Sequence, residues 1–90
     1  MSNYGWIITH DLIEFGLDRG TTGPRSIPDD ILERLKKGDG KKFTLHDDDG
    51  ELCYKGRYIG PEDESMFGPL DDFGMPNAGC TEIRYGGKVL

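Results

Sequence analysis

Hydrophobic and polar positions alternate near the start of the chain and predict a β-strand over residues 4–10. The stretch YGWIITH is rich in β-branched and aromatic residues, which favour strands. A period of two places Tyr4, Trp6 and Ile8 on one face and Ile7 and Thr9 on the other. One face of this strand is therefore aromatic and strongly apolar.

A helical period over residues 26–38 predicts the helix of the chain. Four aliphatic residues share one face at helical spacing: Ile27, Ile31, Leu32 and Leu35. Ser26 is expected to cap the helix, with Pro28 in the first turn, where proline is tolerated. Gly38 is expected to end it.

The apolar alternation resumes after this helix and predicts a β-hairpin. Asp49-Gly50 offers the two central residues of a tight turn. This turn would set Leu45 opposite Tyr54 and Phe43 opposite Gly56. A slip of one residue would bury a lysine, so this register is favoured.

The remaining segments are dominated by turn residues. Residues 60–79 show no periodicity and are expected to form a long closing loop. Leu12, Ile13 and Phe15 fit either a turn of helix or an irregular apolar edge, and loops follow to Pro24. CTEIRY predicts a last strand, and Gly86-Gly87 can turn the final residues back along an edge.

The predicted elements together indicate an α+β fold. One helix packs on a small antiparallel sheet of about four strands, and residues 1–90 form a single domain. The N-terminal stretch has no basic region followed by an apolar run, which predicts no signal peptide. No stretch approaches the length of a membrane span, and two cysteines make no disulfide framework. We expect a cytoplasmic protein.

The charge balance narrows the classes of partner. The chain has 17 acidic and 11 basic residues, with a formal charge of −6 at pH 7. Such a chain is repelled by phosphate backbones, which argues against direct nucleic-acid binding in the absence of a local basic patch. The densest basic group in the sequence is Lys36-Lys37 with Lys41-Lys42. A basic protein partner fits this balance better.

The candidate catalytic and metal motifs each lack required parts. Asp72-Phe73-Gly74 matches a kinase tripeptide, but the other kinase motifs are missing, so no catalytic residue is predicted. Residues 46–51, HDDDGE, place a leucine and a glycine where an EF-hand needs ligands, which favours a turn. We therefore predict no cofactor and no metal.

Two alternative ligand sites remain open. Four residues are potential zinc ligands without paired short spacing: His10, His46, Cys53 and Cys80. His46 and Cys53 would face each other across the predicted hairpin. The loop from Arg19 to Arg25, followed by Ser26, could present backbone amides to a small anion.

Three acidic groups, one with neighbouring aromatic and methionine residues, form the candidate binding surface. Its residues are Asp47, Asp48, Asp49, Glu51, Glu62, Asp63, Glu64, Phe67, Asp71 and Asp72. Acidic loops that carry apolar side chains suit a basic, partly apolar protein patch. The competing interpretation is that Phe67, Leu70 and Phe73 pack under the sheet as a satellite core, leaving the carboxylates in water.

Three stretches, GTTGPR, FTLHDDDGELCYKGR and PLDDFGMPNAGCTEI, resemble small uncharacterised acidic proteins of bacteria and their phages. The resemblance covers most of the chain and implies no catalytic activity. It implies an accessory protein of a mobile element that occupies a host protein, for example one that binds nucleic acid.

The expected function is thus a non-enzymatic acidic module that docks on a basic protein. The alternatives are a small metal- or anion-binding domain and a structural subunit that self-associates.

Overall fold

A computed structural model describes residues 3–13 and 20–90 of the chain. The described residues form a six-stranded antiparallel sheet, so the α+β class is confirmed and the expected count of about four strands is wrong. The strands are β1 (Gly5–Asp11), β2 (Thr21–Gly23), β3 (Lys41–His46), β4 (Leu52–Ile59), β5 (Glu82–Tyr85) and β6 (Lys88–Val89).

The strand order places the predicted hairpin in the middle of the sheet. The order is β2-β1-β4-β3-β5-β6. Leu45 pairs with Tyr54 and Phe43 with Gly56, which confirms the predicted register. The first strand and the turn back at the end of the chain are also confirmed.

The additional strand β2 lies in a segment that the sequence predicted to be a loop. Thr21–Gly23 pairs with β1 through backbone hydrogen bonds and ends at a glycine. Pairing at the edge of the sheet satisfies backbone N–H and C=O groups of β1 and depends little on side chains. The residue types of this segment therefore did not predict a strand.

Helix α1 (Asp29–Lys36) covers part of one sheet face. Ile31 and Leu35 are buried against Ile7, with Ile27 and Ile59 packed beside them. The predicted apolar face is therefore confirmed, although Leu32 is only half-buried.

The predicted capping of α1 by Ser26 is wrong. The helix is preceded by Pro28, which has an extended conformation and makes no side-chain cap. A residue before proline is disfavoured in the helical region, so Ile27 lies outside the helix, which begins at Asp29.

A bent helical segment covers the opposite sheet face. A loop was expected there, so the expected fold with only one helix is also wrong. It contains a 3₁₀ turn (Glu64–Phe67), a π-helical turn (Leu70–Gly74) and a short helix, α2 (Met75–Ala78). We call residues 64–78 the helical cover. Its buried residues Met66, Leu70 and Phe73 join Trp6 and Tyr54 in the larger core cluster.

Two tyrosine hydroxyls tie this cover region to the sheet. Tyr85 Oη donates a hydrogen bond to the carbonyl oxygen of Met66 at 2.7 Å. Tyr58 Oη donates to that of Pro61 at 2.8 Å, just before the cover begins. The Phe73 ring packs edge-on against the Tyr54 ring, with the centroids 4.8 Å apart. Aromatic packing and buried hydrogen bonds therefore hold a segment with little helical periodicity.

The hairpin turn differs from the predicted two-residue turn. The N–H of Gly50 bonds to the carbonyl oxygen of Asp47 at 3.0 Å, so Asp48 and Asp49 are the central residues. Gly50 follows with a φ of +82°, a conformation that favours glycine. This three-residue loop with a following bulge is a common hairpin connection.

Candidate functional site

The tip of the β3–β4 hairpin concentrates negative charge. Oxygen atoms of the Asp47, Asp48 and Asp49 carboxylates lie within 4.8 Å of one another. Asp47 Oδ1 accepts hydrogen bonds from the N–H groups of Asp49 at 3.0 Å and Glu51 at 2.9 Å. Asp47 therefore holds the turn, while Asp48, Asp49 and Glu51 are exposed. We call residues 47–51 the acidic tip.

A second acidic surface lies on and beside the helical cover. Five carboxylates there are exposed: Glu62, Asp63, Glu64, Asp71 and Asp72. Asp71 and Asp72 point outward because their neighbours Leu70 and Phe73 are buried in the core. We call these five residues the acidic face.

The carboxylates of Asp63 and Asp72, from the two ends of the acidic face in sequence, both influence the pKa of Tyr4. Burial raises the pKa of Tyr4, and the nearby charges of Asp72 and then Asp63 raise it further. Both carboxylates therefore lie near the same phenol, although nine positions separate them in the chain. Asp63 also caps the 3₁₀ turn by accepting the N–H of Ser65 at 2.8 Å, and Glu62 forms an ion pair with Lys41.

The apolar side chains near these carboxylates are mostly turned inward. Leu70 and Phe73 belong to the core, and Phe67 is half-buried against it. The satellite-core interpretation therefore describes this segment better than an exposed apolar binding face. Met75 is the cover residue with a large exposed apolar side chain, at 51% exposure.

The potential zinc ligands do not form a site in the described part of the chain. His46 is buried and its ring nitrogens face the Gly50 carbonyl oxygen at 3.2 Å and Thr44 Oγ1 at 2.9 Å. A register shift after Leu45 pairs His46 with Leu52, so the expected pairing of His46 with Cys53 is wrong. His10 is exposed on β1.

The two cysteine thiols lie together inside the core. Burial and then the neighbouring Cys53 raise the pKa of Cys80 to about 12. Cys80 is thus a protonated thiol near neutral pH in the metal-free protein. Among residues 3–13 and 20–90, only the three aspartates of the acidic tip group as potential metal ligands.

The structure also locates most residues of the other sequence motifs. Asp72-Phe73-Gly74 lies in the π-helical turn, with Phe73 buried and Asp72 exposed. In the proposed anion loop, Thr21–Gly23 is strand β2, and Arg19 lies outside the described residues, as does Phe15. The described residues contain no helix with the length and apolar character needed to cross a membrane.

A cationic surface that the sequence analysis missed lies on the sheet face that carries α1. Eight residues of β1, β3 and β4 line a cleft of about 570 Å³ there: Thr9, His10, Lys42, Phe43, Thr44, Lys55, Gly56 and Arg57. The lysines of this surface are not adjacent in sequence, so clusters of neighbouring charges did not reveal it. In the sequence, these cations occupy the polar positions of β3 and β4, which alternate with Phe43 and Leu45 and with the tyrosines of β4.

Comparisons with protein-family models, curated proteins and solved structures found no match for this chain.

Proposed function

We propose that this protein is a non-enzymatic interaction module whose acidic face and acidic tip dock on a basic surface of a partner protein. One observation carries the proposal. The helical cover buries Leu70 and Phe73 and leaves the carboxylates of Asp71 and Asp72 exposed to solvent, beside those of residues 62–64. Because the cover is packed on the sheet, these charges are presented by a structured element.

The expected binding is mainly electrostatic. Complementary charge raises the association rate and the selectivity for a basic partner. Phe73 is buried, which leaves Met75 and the half-buried Phe67 to supply apolar contact. We therefore expect an affinity that falls steeply as salt screens the charges.

The resemblance to small acidic proteins of bacteria and phages supports a bacterial host protein as the partner. A nucleic-acid-binding protein fits, since it has a basic surface that an acidic face can occupy. We also propose a cytoplasmic location, which suits the two buried free thiols, Cys53 and Cys80.

The test is a pull-down from a bacterial lysate at low salt with two sets of variants. The first changes Asp47, Asp48 and Asp49 to Asn. Asparagine keeps the oxygen that accepts the turn hydrogen bonds at position 47, so the hairpin should persist. The second changes Glu64 to Gln and Asp71 and Asp72 to Asn. We expect one stoichiometric basic protein, retained by wild type and lost from both variants and at high salt.

The matched control removes three charges from the other side of the molecule. Asp29, Asp30 and Glu33 are exposed on α1 and are changed to Asn, Asn and Gln. This variant should keep the partner. Equal loss in the control, or full retention by both acidic variants at low salt, would contradict the proposal.

A further inference from the structure

Three cations project from one side of the central strands. Lys42 of β3 lies directly opposite Arg57 of β4, and Lys55 lies between Thr44 and His10 on the neighbouring strands. Alternation directs these side chains away from the helical cover, because their chain neighbours Phe43, Tyr54 and Tyr58 are part of the larger core cluster. We call Lys42, Lys55 and Arg57 the cationic face.

The charges of the cationic face are not neutralised within the described residues. Ion pairs join Arg34 to Asp39, Lys41 to Glu62 and Arg84 to Glu82. Across residues 3–13 and 20–90, no such pair involves a residue of the cationic face. Like charges directly opposite each other in a sheet are destabilising, so the pairing of Lys42 with Arg57 weakens the fold. A bound anion would remove this repulsion.

The shape of this surface suits a small ligand. The cleft of about 570 Å³ lies within the usual range for small-molecule sites, roughly 300–1,000 Å³. A β-bulge between Ile8 and His10 brings both Thr9 and His10 to its rim. Thr9 and Thr44 also line the cleft, but Thr9 Oγ1 donates to the Lys55 carbonyl oxygen at 3.2 Å and Thr44 Oγ1 lies 2.9 Å from His46 Nε2. The three cations are therefore the groups that the cleft offers to an anion.

We infer that the cationic face binds a small phosphate-bearing molecule of about nucleotide size. The planar guanidinium of Arg57 can hold two phosphate oxygens at once, and Lys42 and Lys55 act as point charges beside it. The chain as a whole carries a charge of −6. At physiological salt a compact anion senses charges only within about 8 Å, whereas a long polyanion would extend onto the acidic surroundings. The observations thus favour a small ligand over a nucleic acid.

The test is a titration with inorganic pyrophosphate at constant ionic strength, followed by amide NMR shifts and by melting temperature. We expect saturable shifts confined to residues 9–10, 42–44 and 55–57, with a higher melting temperature. Lys42→Gln and Lys55→Gln should each weaken binding by roughly tenfold, the effect of losing one charge-assisted hydrogen bond. Arg57→Lys should weaken it less than Arg57→Gln, because lysine keeps the charge and loses the fork.

A double variant at the C-terminal end of α1 provides the matched control. Lys36→Gln with Lys37→Gln removes two exposed cations outside the cleft and should leave the dissociation constant unchanged. Lys55 is exposed, so its variant keeps the test valid if changes at half-buried Arg57 impair folding.

Three outcomes would overturn the inference. The first is equal weakening of binding in the α1 control. The second is the absence of saturable shifts up to about 10 mM pyrophosphate, a concentration that would detect even a weak millimolar affinity. The third is tighter binding of a single-stranded oligonucleotide than of pyrophosphate. The acidic-tip and acidic-face variants should bind pyrophosphate normally, so this test and the partner pull-down can fail independently.

Discussion

Tyr58 shows how one buried hydroxyl joins the sheet to the start of the cover region. Its ring is 2% exposed, and its hydroxyl donates to the Pro61 carbonyl oxygen. Burial, followed by the charge of Asp63, raises the pKa of Tyr58 to about 12. Burial also raises the pKa of Tyr85 and that of Cys80, so all three groups favour the protonated state in the folded protein.

The sign of these shifts predicts alkaline destabilisation. A group whose folded pKa is raised contributes its full stability below its unfolded pKa and loses it as the pH rises through the folded value. The free energy of unfolding should therefore fall between about pH 9, near the unfolded pKa of the thiol, and about pH 12. Urea denaturation at pH 8, 10 and 11 measures this decline.

The variant Tyr58→Phe isolates one contribution to that decline. At pH 8 it should be less stable by about 1 kcal/mol, because it loses the hydrogen bond to Pro61. Its further loss on going to pH 11 should be smaller than in wild type, since phenylalanine cannot ionise. An identical decline in both proteins would contradict the assigned cause. Tyr85 and Cys80 remain in the variant, so the decline should be reduced and not abolished.

At the scale of the element, Gly56 is the point where β4 has no room for a side chain. A Cβ atom there would lie 2.3 Å from the Ile7 carbonyl oxygen and 2.4 Å from Cζ of Phe43. The Phe43 ring of β3 thus lies over Gly56 of the paired strand β4.

This contact predicts that Gly56→Ala is strongly destabilising, by roughly 3 kcal/mol, since the backbone oxygen cannot move without disturbing the β1–β4 pairing. Lys55→Ala, on the exposed neighbouring position, should change stability by less than about 0.5 kcal/mol. Chemical denaturation compares the two variants. A Gly56→Ala protein as stable as Lys55→Ala would show that the sheet adjusts at this site.

Elements with a regular apolar period were predictable from the sequence. The helical spacing of Ile31 and Leu35 in α1 and the hairpin register of Leu45 with Tyr54 are both confirmed. The helical cover was not predictable, because its turns change type every few residues and include Pro69 and Gly74. Its helicity depends on packing against the sheet, which local propensity does not encode.

The candidate site was predictable in its negative charges and not in its positive ones. Asp71 and Asp72 are adjacent in sequence, so their cluster is visible directly. Lys42 and Arg57 become neighbours only through the pairing of β3 with β4. The expected pairing of His46 with Cys53 failed because the register shifts between Leu45 and His46, so that His46 pairs with Leu52.

At the scale of the whole molecule, the sheet separates two packed layers of unequal size. The larger cluster, under the helical cover, contains Trp6, the single tryptophan of the chain. Its ring packs edge-on against Phe73 with the centroids 5.9 Å apart. Fluorescence from Trp6 therefore reports on the junction of sheet and cover.

We expect the sheet and the helical cover to unfold together. Trp6 and Phe73 share one core cluster, so loss of the cover would expose much of the sheet interior. Tryptophan fluorescence and far-ultraviolet circular dichroism should give coincident urea transitions. A fluorescence change at lower urea than the dichroism change would show instead that the cover detaches first.

The short outer strands of the sheet have a consequence for aggregation. β2 has three residues and β6 has two, and the N–H of Leu90 also bonds to the Ile83 carbonyl oxygen beside β6. Long unpaired edges act as templates on which further chains add as strands, and very short edge strands limit this addition. The described sheet thus offers little backbone on which another chain, a second copy or a partner, could pair as an added strand.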